Sequence, residues 1–394
     1  MVNILLHKTT VLNMHIYIHI PVCIRKCRYC AFYSVPIEKI DIETVISAIK
    51  AELRIYSEHF KGKSFKLPPT LYFGGGTPSL IPPKQIASII ELAGQLLSID
   101  KFSEITLEAN PETITADVAL QLKSAGINRI SIGVQSLDDE ILSFLGRIHD
   151  AKTALAAIEN AVKSGITSVN ADIIYATPFH RRRKILNELG KLIELGVNHF
   201  SLYSLSAEPG TPLYEDVQSG KVALPSSDEA SEQYFAMLDM LESYSFHPYE
   251  VSNFAKKGGE CIHNMAYWLG EPYLGIGPSA HSYNGETRWA NIDDWKKYAT
   301  MVLKGEKPLA FSEKLSKFQK IEELVMLRLR LSDGINLGEL EDNTRDAILG
   351  AAKMLIDEGV LVHNGRNLYL PREKRLLADG VALKIITAMK NGTN

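Results

Sequence analysis

The 394-residue sequence has few cysteines, no excess of charge and no long hydrophobic segment. Its four cysteines are too few for a scaffold held together by disulfides, and no apolar run is long enough to span a membrane. The formal net charge of −3 does not favour a nucleic acid or an anionic membrane as a partner. The N-terminal residues lack the small-residue cleavage site of a signal peptide. We therefore expect a globular cytoplasmic protein, in which 45% hydrophobic residues suffice for a sizeable core.

Three of the cysteines lie close together. The segment YIHIPVCIRKCRYCAFYS places Cys23, Cys27 and Cys30 in a C-x3-C-x2-C pattern, whereas Cys261 is far away in the sequence. Clustered thiols in a reducing compartment are typical metal ligands. A zinc site would need a fourth Cys or His at short spacing, and none follows Cys30 closely. We favour an iron–sulfur cluster, in which three thiolates would leave one iron open for an exchangeable ligand.

Six short apolar segments alternate with helical patterns. Repeated strand–helix units predict an α/β fold with a parallel sheet. Because six units are too few to close an eight-stranded barrel, we expect an open, partial (β/α)6 barrel. The predicted strands are His15–Pro21, Thr70–Gly74, Ile105–Ala109, Arg129–Val134, Val169–Tyr175 and Phe200–Leu205. The predicted helices are Ile40–Phe60, Pro83–Ser98, Thr115–Gly126, Leu137–Gly146, Asp150–Gly165 and Arg183–Gly196.

The fifth of these helices illustrates the pattern. Asp150 is a suitable N-cap residue, and Gly165 is a suitable residue to end the helix. Leu155, Ile158 and Val162 lie on one face at helical spacing. The segment therefore predicts an amphipathic helix with this face on the sheet.

Unusual sequence elements follow the predicted strands. The cysteines come after the first strand, and Gly74-Gly75-Gly76-Thr77 comes after the second. Glu108 ends the third strand, Gln135 the fourth, and Asp172 lies in the fifth. The carboxyl ends of parallel strands meet at one edge of the sheet, where such folds place their active sites. The sequence therefore predicts a single cofactor or active site at this edge.

The cysteine pattern, with Tyr29 just before its last cysteine, resembles that of the radical S-adenosylmethionine superfamily. In that superfamily the open iron of a [4Fe–4S] cluster binds S-adenosylmethionine, and an electron from the cluster cleaves it to methionine and a 5′-deoxyadenosyl radical. The resemblance extends to the glycine segment after the second strand. It implies that Cys23, Cys27 and Cys30 hold the cluster. It also implies that S-adenosylmethionine is bound by Tyr17, Tyr29, Gly75, Gly76, Thr77, Glu108, Gln135, Arg147 and Asp172.

Within the superfamily, the sequence resembles the oxygen-independent coproporphyrinogen III oxidase branch, from about Met14 to the C-terminal tail. Those oxidases have a further cysteine two positions after the third, where this sequence has Phe32. They also have an N-terminal segment ahead of the cysteines. We expect the residues before Cys23 to be too few to form such a segment. In both respects the sequence resembles the HemW-type haem chaperones. This resemblance implies a protein that binds haem and transfers it. The alternative is decarboxylation of coproporphyrinogen III to protoporphyrinogen IX, or another radical reaction on a tetrapyrrole, so whether the chain is an enzyme stays open.

The segment CIHNMAYW, from Cys261 to Trp268, contains the pattern H-N-x-x-Y-W. It resembles the haem-binding motif of the chaperones, and the resemblance implies haem contact by His263, Asn264, Tyr267 and Trp268. A histidine can ligate haem iron, and aromatic rings offer flat surfaces to a porphyrin. The iron ligand stays open between His263 and Cys261, because a thiolate also ligates haem iron. Packing and hydrogen bonding are the alternative roles of this segment.

The patterns divide the chain into four parts. We expect an N-terminal extension (1–14), a radical-SAM partial barrel (15–206), an α/β extension that carries the haem segment (207–310) and a winged-helix-like C-terminal domain (311–394). In the last part, Asn364-Gly365 predicts a tight hairpin turn. Acidic and basic residues are nearly balanced from Leu315 onward, so packing against the barrel is favoured over DNA binding.

The resemblance also implies partners and a location. Haem is the expected cargo, and the expected partners are acceptor haemoproteins such as respiratory-chain components, or a bacterioferritin-type haem source. It allows a homodimer and docking on the cytoplasmic face of a membrane. No nucleic acid is expected as a partner.

Overall fold

The computed structural model describes residues 14–56 and 65–392. Most of the predicted N-terminal extension (1–14) therefore lies outside the described residues, as does the end of the first predicted helix (57–60). Within the described ranges, every helix is too short or too polar to cross a membrane.

All six predicted strands are present, each within one residue of its predicted limits. They are β1 (His15–Ile20), β2 (Thr70–Gly75), β3 (Glu104–Ala109), β4 (Arg129–Gln135), β5 (Ser168–Tyr175) and β6 (His199–Ser204). Neighbouring strands run parallel, with Ile20 beside Gly75 and Glu108 beside Ser131. The predicted α/β fold is thus confirmed.

The two faces of these strands differ in polarity. On β3 the buried side chains of Ile105 and Leu107 face the helices, whereas Thr106 and Glu108 point to the other face. The same alternation runs through β4 and β5, where polar side chains such as Asn170 occupy the face away from the helices. One face of the curved sheet is therefore an apolar core, and the other lines a polar interior.

The helices that follow the strands agree with the predicted ones to within two residues in the described part of the chain. In the helix Ala151–Lys163 the Asp150 side chain accepts a hydrogen bond from the Thr153 N–H, and Gly165 has a φ of +78°. Ile158 is fully buried, so the predicted cap and buried face are confirmed. The helices up to residue 243 are α1 (Ile42–Tyr56), α2 (Pro83–Leu97), α3 (Ala116–Ser124), α4 (Asp139–Leu145), α5 (Ala151–Lys163), α6 (Arg182–Glu194), α7 (Pro212–Gln218) and α8 (Ser227–Ser243).

The sheet is wider than the six strands predicted from sequence. The following segment adds six strands to the two edges of this sheet. The two outermost strands of the described sheet do not pair with each other, so the sheet is open, as predicted. The added strands are β7 (Phe246–Pro248), β8 (Asn253–Lys256), β9 (Tyr273–Ile276), β10 (His281–Tyr283), β11 (Thr287–Asn291) and β12 (Leu309–Lys314). The order in the sheet is β12-β11-β10-β9-β1-β2-β3-β4-β5-β6-β8-β7. Two helices lie among them, α9 (Ile262–Trp268) and α10 (Trp295–Leu303).

The C-terminal part has a core of its own, built from residues such as Val325, Ile348, Leu368 and Ile385. Its helices are α11 (Lys317–Arg328), α12 (Asp342–Asp357) and α13 (Ala378–Gly392). A small sheet in the order β13-β15-β14 completes it, with β13 (Ile335–Asn336), β14 (Val362–His363) and β15 (Asn367–Tyr369). The predicted turn joins β14 to β15, where Gly365 has a φ of +87°.

Candidate functional site

The three clustered cysteines line one cavity of about 390 Å³ at the carboxyl ends of the parallel strands. The loop after β1 is held in place by backbone hydrogen bonds from Arg28 N–H to the Leu145 carbonyl and from Thr77 N–H to the Val22 carbonyl. All three thiols are partly exposed. Burial raises the pKa of the Cys30 thiol, and the nearby thiols of Cys27 and Cys23 raise it further.

Two side chains donate hydrogen bonds to these sulfur atoms. The Thr77 hydroxyl lies 3.6 Å from Cys23 Sγ, and Arg147 Nη1 lies 3.4 Å from Cys27 Sγ. Asn110 links the two donors, since its Nδ2 donates to Thr77 Oγ1 and its Oδ1 accepts from Arg147 Nη2 at 2.7 Å. Such donors stabilise thiolates, the form in which cysteine binds metal. Sequence reasoning did not single out Asn110.

The donor set at this end of the cavity is that of an iron–sulfur cluster. Three cysteines from one loop line the cavity together, and two of their sulfur atoms accept hydrogen bonds from Thr77 and Arg147. Iron–sulfur clusters are held by cysteine thiolates, and hydrogen bonds to the sulfur atoms tune them. The residues present therefore fit a [4Fe–4S] cluster.

The glycine segment after β2 passes very close to β1. A Cβ atom on Gly76 would lie 2.6 Å from the Val22 carbonyl oxygen, and Gly75 has a φ of +107°. Only glycine accommodates both the backbone contact and the left-handed conformation. The segment therefore presents bare backbone to the cavity beside Cys23.

Two predicted carboxylates lie deeper in the cavity. Glu108 accepts hydrogen bonds from the Tyr72 hydroxyl at 2.8 Å and the Gly75 N–H at 3.0 Å, and Asp172 accepts from Ser131 and Asn170. Burial raises the pKa of Glu108 to about 7, with a further contribution from Asp172. Burial likewise raises the pKa of Asp172 to about 6. Both groups are thus poised to lose or gain a proton near neutral pH.

Of the remaining predicted cofactor residues, three line the cavity and one does not. Tyr29, Gln135 and Arg147 line the cavity, and Gln135 has a left-handed φ of +65° where the pairing of β4 with β5 is irregular. Tyr17 does not line the cavity, because its ring packs on Tyr72 and its hydroxyl bonds to the His19 ring. Eight of the nine residues predicted to bind S-adenosylmethionine are therefore brought together, and Tyr17 lies behind them.

The H-N-x-x-Y-W segment forms α9 at the opposite end of the strands. His263 is buried, and its ring nitrogens lie 2.7 Å from Thr70 Oγ1 and 3.0 Å from the Tyr267 hydroxyl. Burial lowers the pKa of His263 well below its ordinary value, so the ring is neutral. The Trp268 ring contacts Arg330 of the C-terminal part. Of the predicted haem residues, Cys261 and Asn264 line the same cavity as the three clustered cysteines, whereas His263, Tyr267 and Trp268 do not.

Cys261 and Glu104 join α9 to the barrel. The Cys261 thiol donates to Glu104 Oε1 at 3.3 Å, and the His263 N–H donates to the same oxygen at 2.9 Å. Glu104 also forms a buried ion pair with Arg129 at 2.9 Å. Burial raises the pKa of the Cys261 thiol strongly, and the Glu104 carboxylate adds to this. The thiol is therefore protonated, which disfavours it as a metal ligand in this conformation.

Comparison with known proteins identifies the domains and relatives. The Radical SAM superfamily model matches residues 17–190, and the HemN C-terminal domain model matches residues 315–377. The heme chaperone HemW of Mycobacterium tuberculosis is 33% identical, with 94% of each chain covered. HemW of Bacillus subtilis is 30% identical over 93% of this chain and 97% of its own. A mouse mitochondrial protein, radical S-adenosyl methionine domain-containing protein 1, is 33% identical over 95% of this chain and 88% of its own.

A solved structure supports the fold. The coproporphyrinogen III oxidase HemN of Escherichia coli, described as a radical SAM enzyme, superposes with a TM-score of 0.80. The match covers 95% of this chain and 90% of the oxidase, at 21% sequence identity. The open α/β sheet and the C-terminal helical part are thus shared with that enzyme.

Proposed function

The chain belongs to the family of the heme chaperone HemW, and from this premise we propose that it binds haem and transfers it to acceptor haemoproteins. The observation that carries this proposal is the 33% identity to HemW of M. tuberculosis across 94% of both chains. The match extends over the barrel, the α9 segment and the C-terminal part, and is not confined to the cofactor site.

We further propose that Cys23, Cys27 and Cys30 bind a [4Fe–4S] cluster and that S-adenosylmethionine binds beside it. When bound, the cluster supplies an electron to the sulfonium group of S-adenosylmethionine. Thr77 and Arg147 support this assignment, because their hydrogen bonds to sulfur would hold the negative charge of the thiolates.

The other predicted cofactor residues would bind and orient S-adenosylmethionine. Glu108 and Asp172 offer carboxylates that accept hydrogen bonds from ribose hydroxyls or an amino group, and Arg147 offers a cation for a carboxylate. The backbone of Gly75, Gly76 and Thr77 leaves room for close approach, while Tyr29 and Gln135 complete the wall. Tyr17 would contribute from behind, through Tyr72.

The role of α9 in haem binding is part of the proposal. Direct ligation by His263 would require its hydrogen bonds to Thr70 and Tyr267 to open. Ligation by Cys261 would require its thiol to leave Glu104 and ionise. Asn264 already lines the barrel cavity, whereas Tyr267 and Trp268 would contact the porphyrin only after such a change.

Partners and location complete the proposal. Respiratory-chain components or a bacterioferritin-type haem source are the haemoproteins that we propose as partners, and a homodimer is part of the same proposal. We propose a cytoplasmic location with docking at the membrane face. The division into 15–206, 207–310 and 311–394 is proposed as the domain organisation, and the separate core of the last part supports it.

The proposal is tested by anaerobic reconstitution of the cluster, followed by separate titrations with haem and with coproporphyrinogen III. Haem is followed by its Soret band, and the porphyrinogen by product analysis in the presence of S-adenosylmethionine and a reductant. We expect a stoichiometric haem complex and no protoporphyrinogen. Turnover of the porphyrinogen would identify the chain as an oxidase instead.

A further inference from the structure

The ring of Tyr72 connects the barrel cavity to α9. Tyr72 lies on β2 and lines the cavity beside the three clustered cysteines. Its ring stacks on the Tyr17 ring of β1, with centroids 6.0 Å apart and an interplanar angle of 29°. It also stacks on the His263 ring of α9, at 5.0 Å and 28°. Two other elements of the fold therefore hold the ring in place.

Gly74 makes this packing possible. A Cβ atom at this position would lie 2.9 Å from Tyr17 Cε2, 3.0 Å from Tyr72 Cε1 and 3.1 Å from Glu108 Cδ. Any larger residue would displace at least one of these side chains, because a close-packed interior has no room for the extra atom. The first glycine of the segment thus brings the two rings and the Glu108 carboxyl group together.

The Tyr72 hydroxyl holds one oxygen of Glu108. It donates a hydrogen bond to Oε1 at 2.8 Å, while the Gly75 N–H donates to Oε2 at 3.0 Å. Each oxygen of an ionised carboxylate can accept more than one hydrogen bond, so both retain capacity for a ligand. The two donors fix the orientation of the carboxyl group and leave its remaining lone pairs for a group in the cavity. Sequence reasoning singled out Glu108 but not Tyr72.

The titratable side chains that face Glu108 come from five elements, β1, β2, β5, β6 and α9. They are Tyr17, Tyr72, Asp172, Tyr203 and Tyr267. Burial raises the pKa of each of the four tyrosines, so they stay neutral. Burial raises the pKa of Glu108 to about 7 and that of Asp172 to about 6, and the Arg147 guanidinium partly offsets the shift at Asp172. The hydrogen bond from Tyr72 lowers the pKa of Glu108, because it favours the ionised form.

We propose that Tyr72 is a positioning residue for S-adenosylmethionine, which aims the ionised carboxylate of Glu108 at this cofactor and makes the cofactor affinity depend on the packing of α9. The inference rests on the proposed S-adenosylmethionine site and adds a residue and a means of regulation to it. S-adenosylmethionine carries a positive sulfonium group and an amino group, so an ionised carboxylate strengthens its binding. The affinity therefore rises as Glu108 loses its proton.

The link to α9 runs through His263. Its ring nitrogens lie 2.7 Å from Thr70 Oγ1 and 3.0 Å from the Tyr267 hydroxyl, and these contacts fix the ring against Tyr72. A rearrangement of α9 that withdraws His263 frees the Tyr72 ring and weakens its hydrogen bond to Glu108. Because coupling between two sites is reciprocal, bound S-adenosylmethionine in turn stabilises the packed conformation of α9.

The test measures S-adenosylmethionine binding to the full chain with its cluster reconstituted, by anaerobic equilibrium dialysis. No reductant is added, so the cofactor is not cleaved. Affinity is measured from about pH 5.5 to about pH 8.5, a range that spans the titration of Glu108. Tyr72→Phe keeps the ring but removes the hydroxyl. We expect it to move the rise in affinity about one unit higher in pH, which is a loss of about fivefold at pH 7 that shrinks toward the alkaline end.

Two further variants complete the test. Tyr244→Phe removes the hydroxyl of an exposed tyrosine outside the cavity and should follow the wild-type profile. His263→Ala removes the supporting ring and should shift the profile in the same direction as Tyr72→Phe. In the double variant the two shifts should not add, because His263 acts through the Tyr72 hydroxyl. Unchanged cluster absorbance shows that the variants are folded.

The outcomes separate this inference from the proposed function. If the wild type binds S-adenosylmethionine and Tyr72→Phe matches Tyr244→Phe, or loses the same factor at every pH, Tyr72 does not position Glu108 and the inference alone fails. If the shifts of Tyr72→Phe and His263→Ala add, the link through α9 is contradicted. If the wild type binds no S-adenosylmethionine, the proposed cofactor site fails and the inference fails with it.

Discussion

The residues around the three thiols act as a connected group. Arg147 reaches Cys27, Asn110 and the Gly133 carbonyl, and Asn110 reaches Thr77. The sequence predicts Arg147 and Thr77 through the resemblance to a known superfamily. It does not predict Asn110, because the role of that side chain depends on partners from the loop after β2 and from the loop after α4. Contacts of this kind are set by the packing of distant segments and leave no local pattern.

Glu108 should make the stability of the cofactor-free protein depend on pH. Its folded-state pKa of about 7 lies above its ordinary value. The contribution of this carboxyl to the free energy of unfolding is therefore fully present below about pH 4.5 and is lost as the pH rises through 7. In Glu108→Gln this loss should disappear. Between pH 5 and 8, the variant's free energy of unfolding should improve relative to wild type by about 1–3 kcal/mol.

This dependence is measured by urea unfolding at several pH values. Glu159→Gln, a change at an exposed position on α5, is the control and should follow the wild-type profile. Because Glu108→Gln also alters the hydrogen bond from Gly75, only the change with pH is informative. Parallel profiles for Glu108→Gln and the wild type would show that the carboxyl is not buried in solution.

At the scale of elements, the strands and helices were predictable because their apolar faces repeat with clear periods. The alternation of polar side chains in β3 to β5 was also present in the sequence, as Thr106 with Glu108 and Asn170 with Asp172. This alternation identifies the polar interior and could have been used to predict it. The edge strands β7 to β12 were not predicted, because they are short and irregular and depend on pairing with distant strands.

One buried carboxylate fastens the edge strands to the barrel. Glu52 of α1 is fully buried and accepts hydrogen bonds from the Gly277 N–H at 2.8 Å, Asn291 Nδ2 at 2.7 Å and the Tyr298 hydroxyl at 2.6 Å. Burial raises its pKa to about 7. The side chain thus joins the first helix to the segment after β9, to β11 and to α10.

Glu52→Ala should lower the free energy of unfolding by about 3–5 kcal/mol, because three buried donors lose their acceptor. Glu52→Gln keeps an acceptor oxygen and should lose less. The exposed Glu43 on the same helix is the control, and Glu43→Ala should change stability by no more than about 0.5 kcal/mol. Equal denaturation midpoints for Glu52→Ala and Glu43→Ala would contradict this account.

At the scale of the whole molecule, two cavities lie at opposite ends of one open sheet and α9 separates them. The cofactor end was predictable, since the carboxyl ends of parallel strands converge whatever the details of packing. The cleft at the other end was not, because it depends on how the C-terminal part packs against the barrel. The H-N-x-x-Y-W pattern identified α9 as a candidate functional segment, and the fold places this helix between the two cavities.

The central claim is that the chain carries haem to another protein, and transfer kinetics test it most directly. The haem-loaded protein is mixed anaerobically with the apo form of a respiratory b-type cytochrome, and with apomyoglobin as a passive acceptor. We expect transfer to the cytochrome at a rate that rises with its concentration and exceeds the rate to apomyoglobin. Retention of the haem, or equal rates that do not depend on acceptor concentration, would contradict the claim.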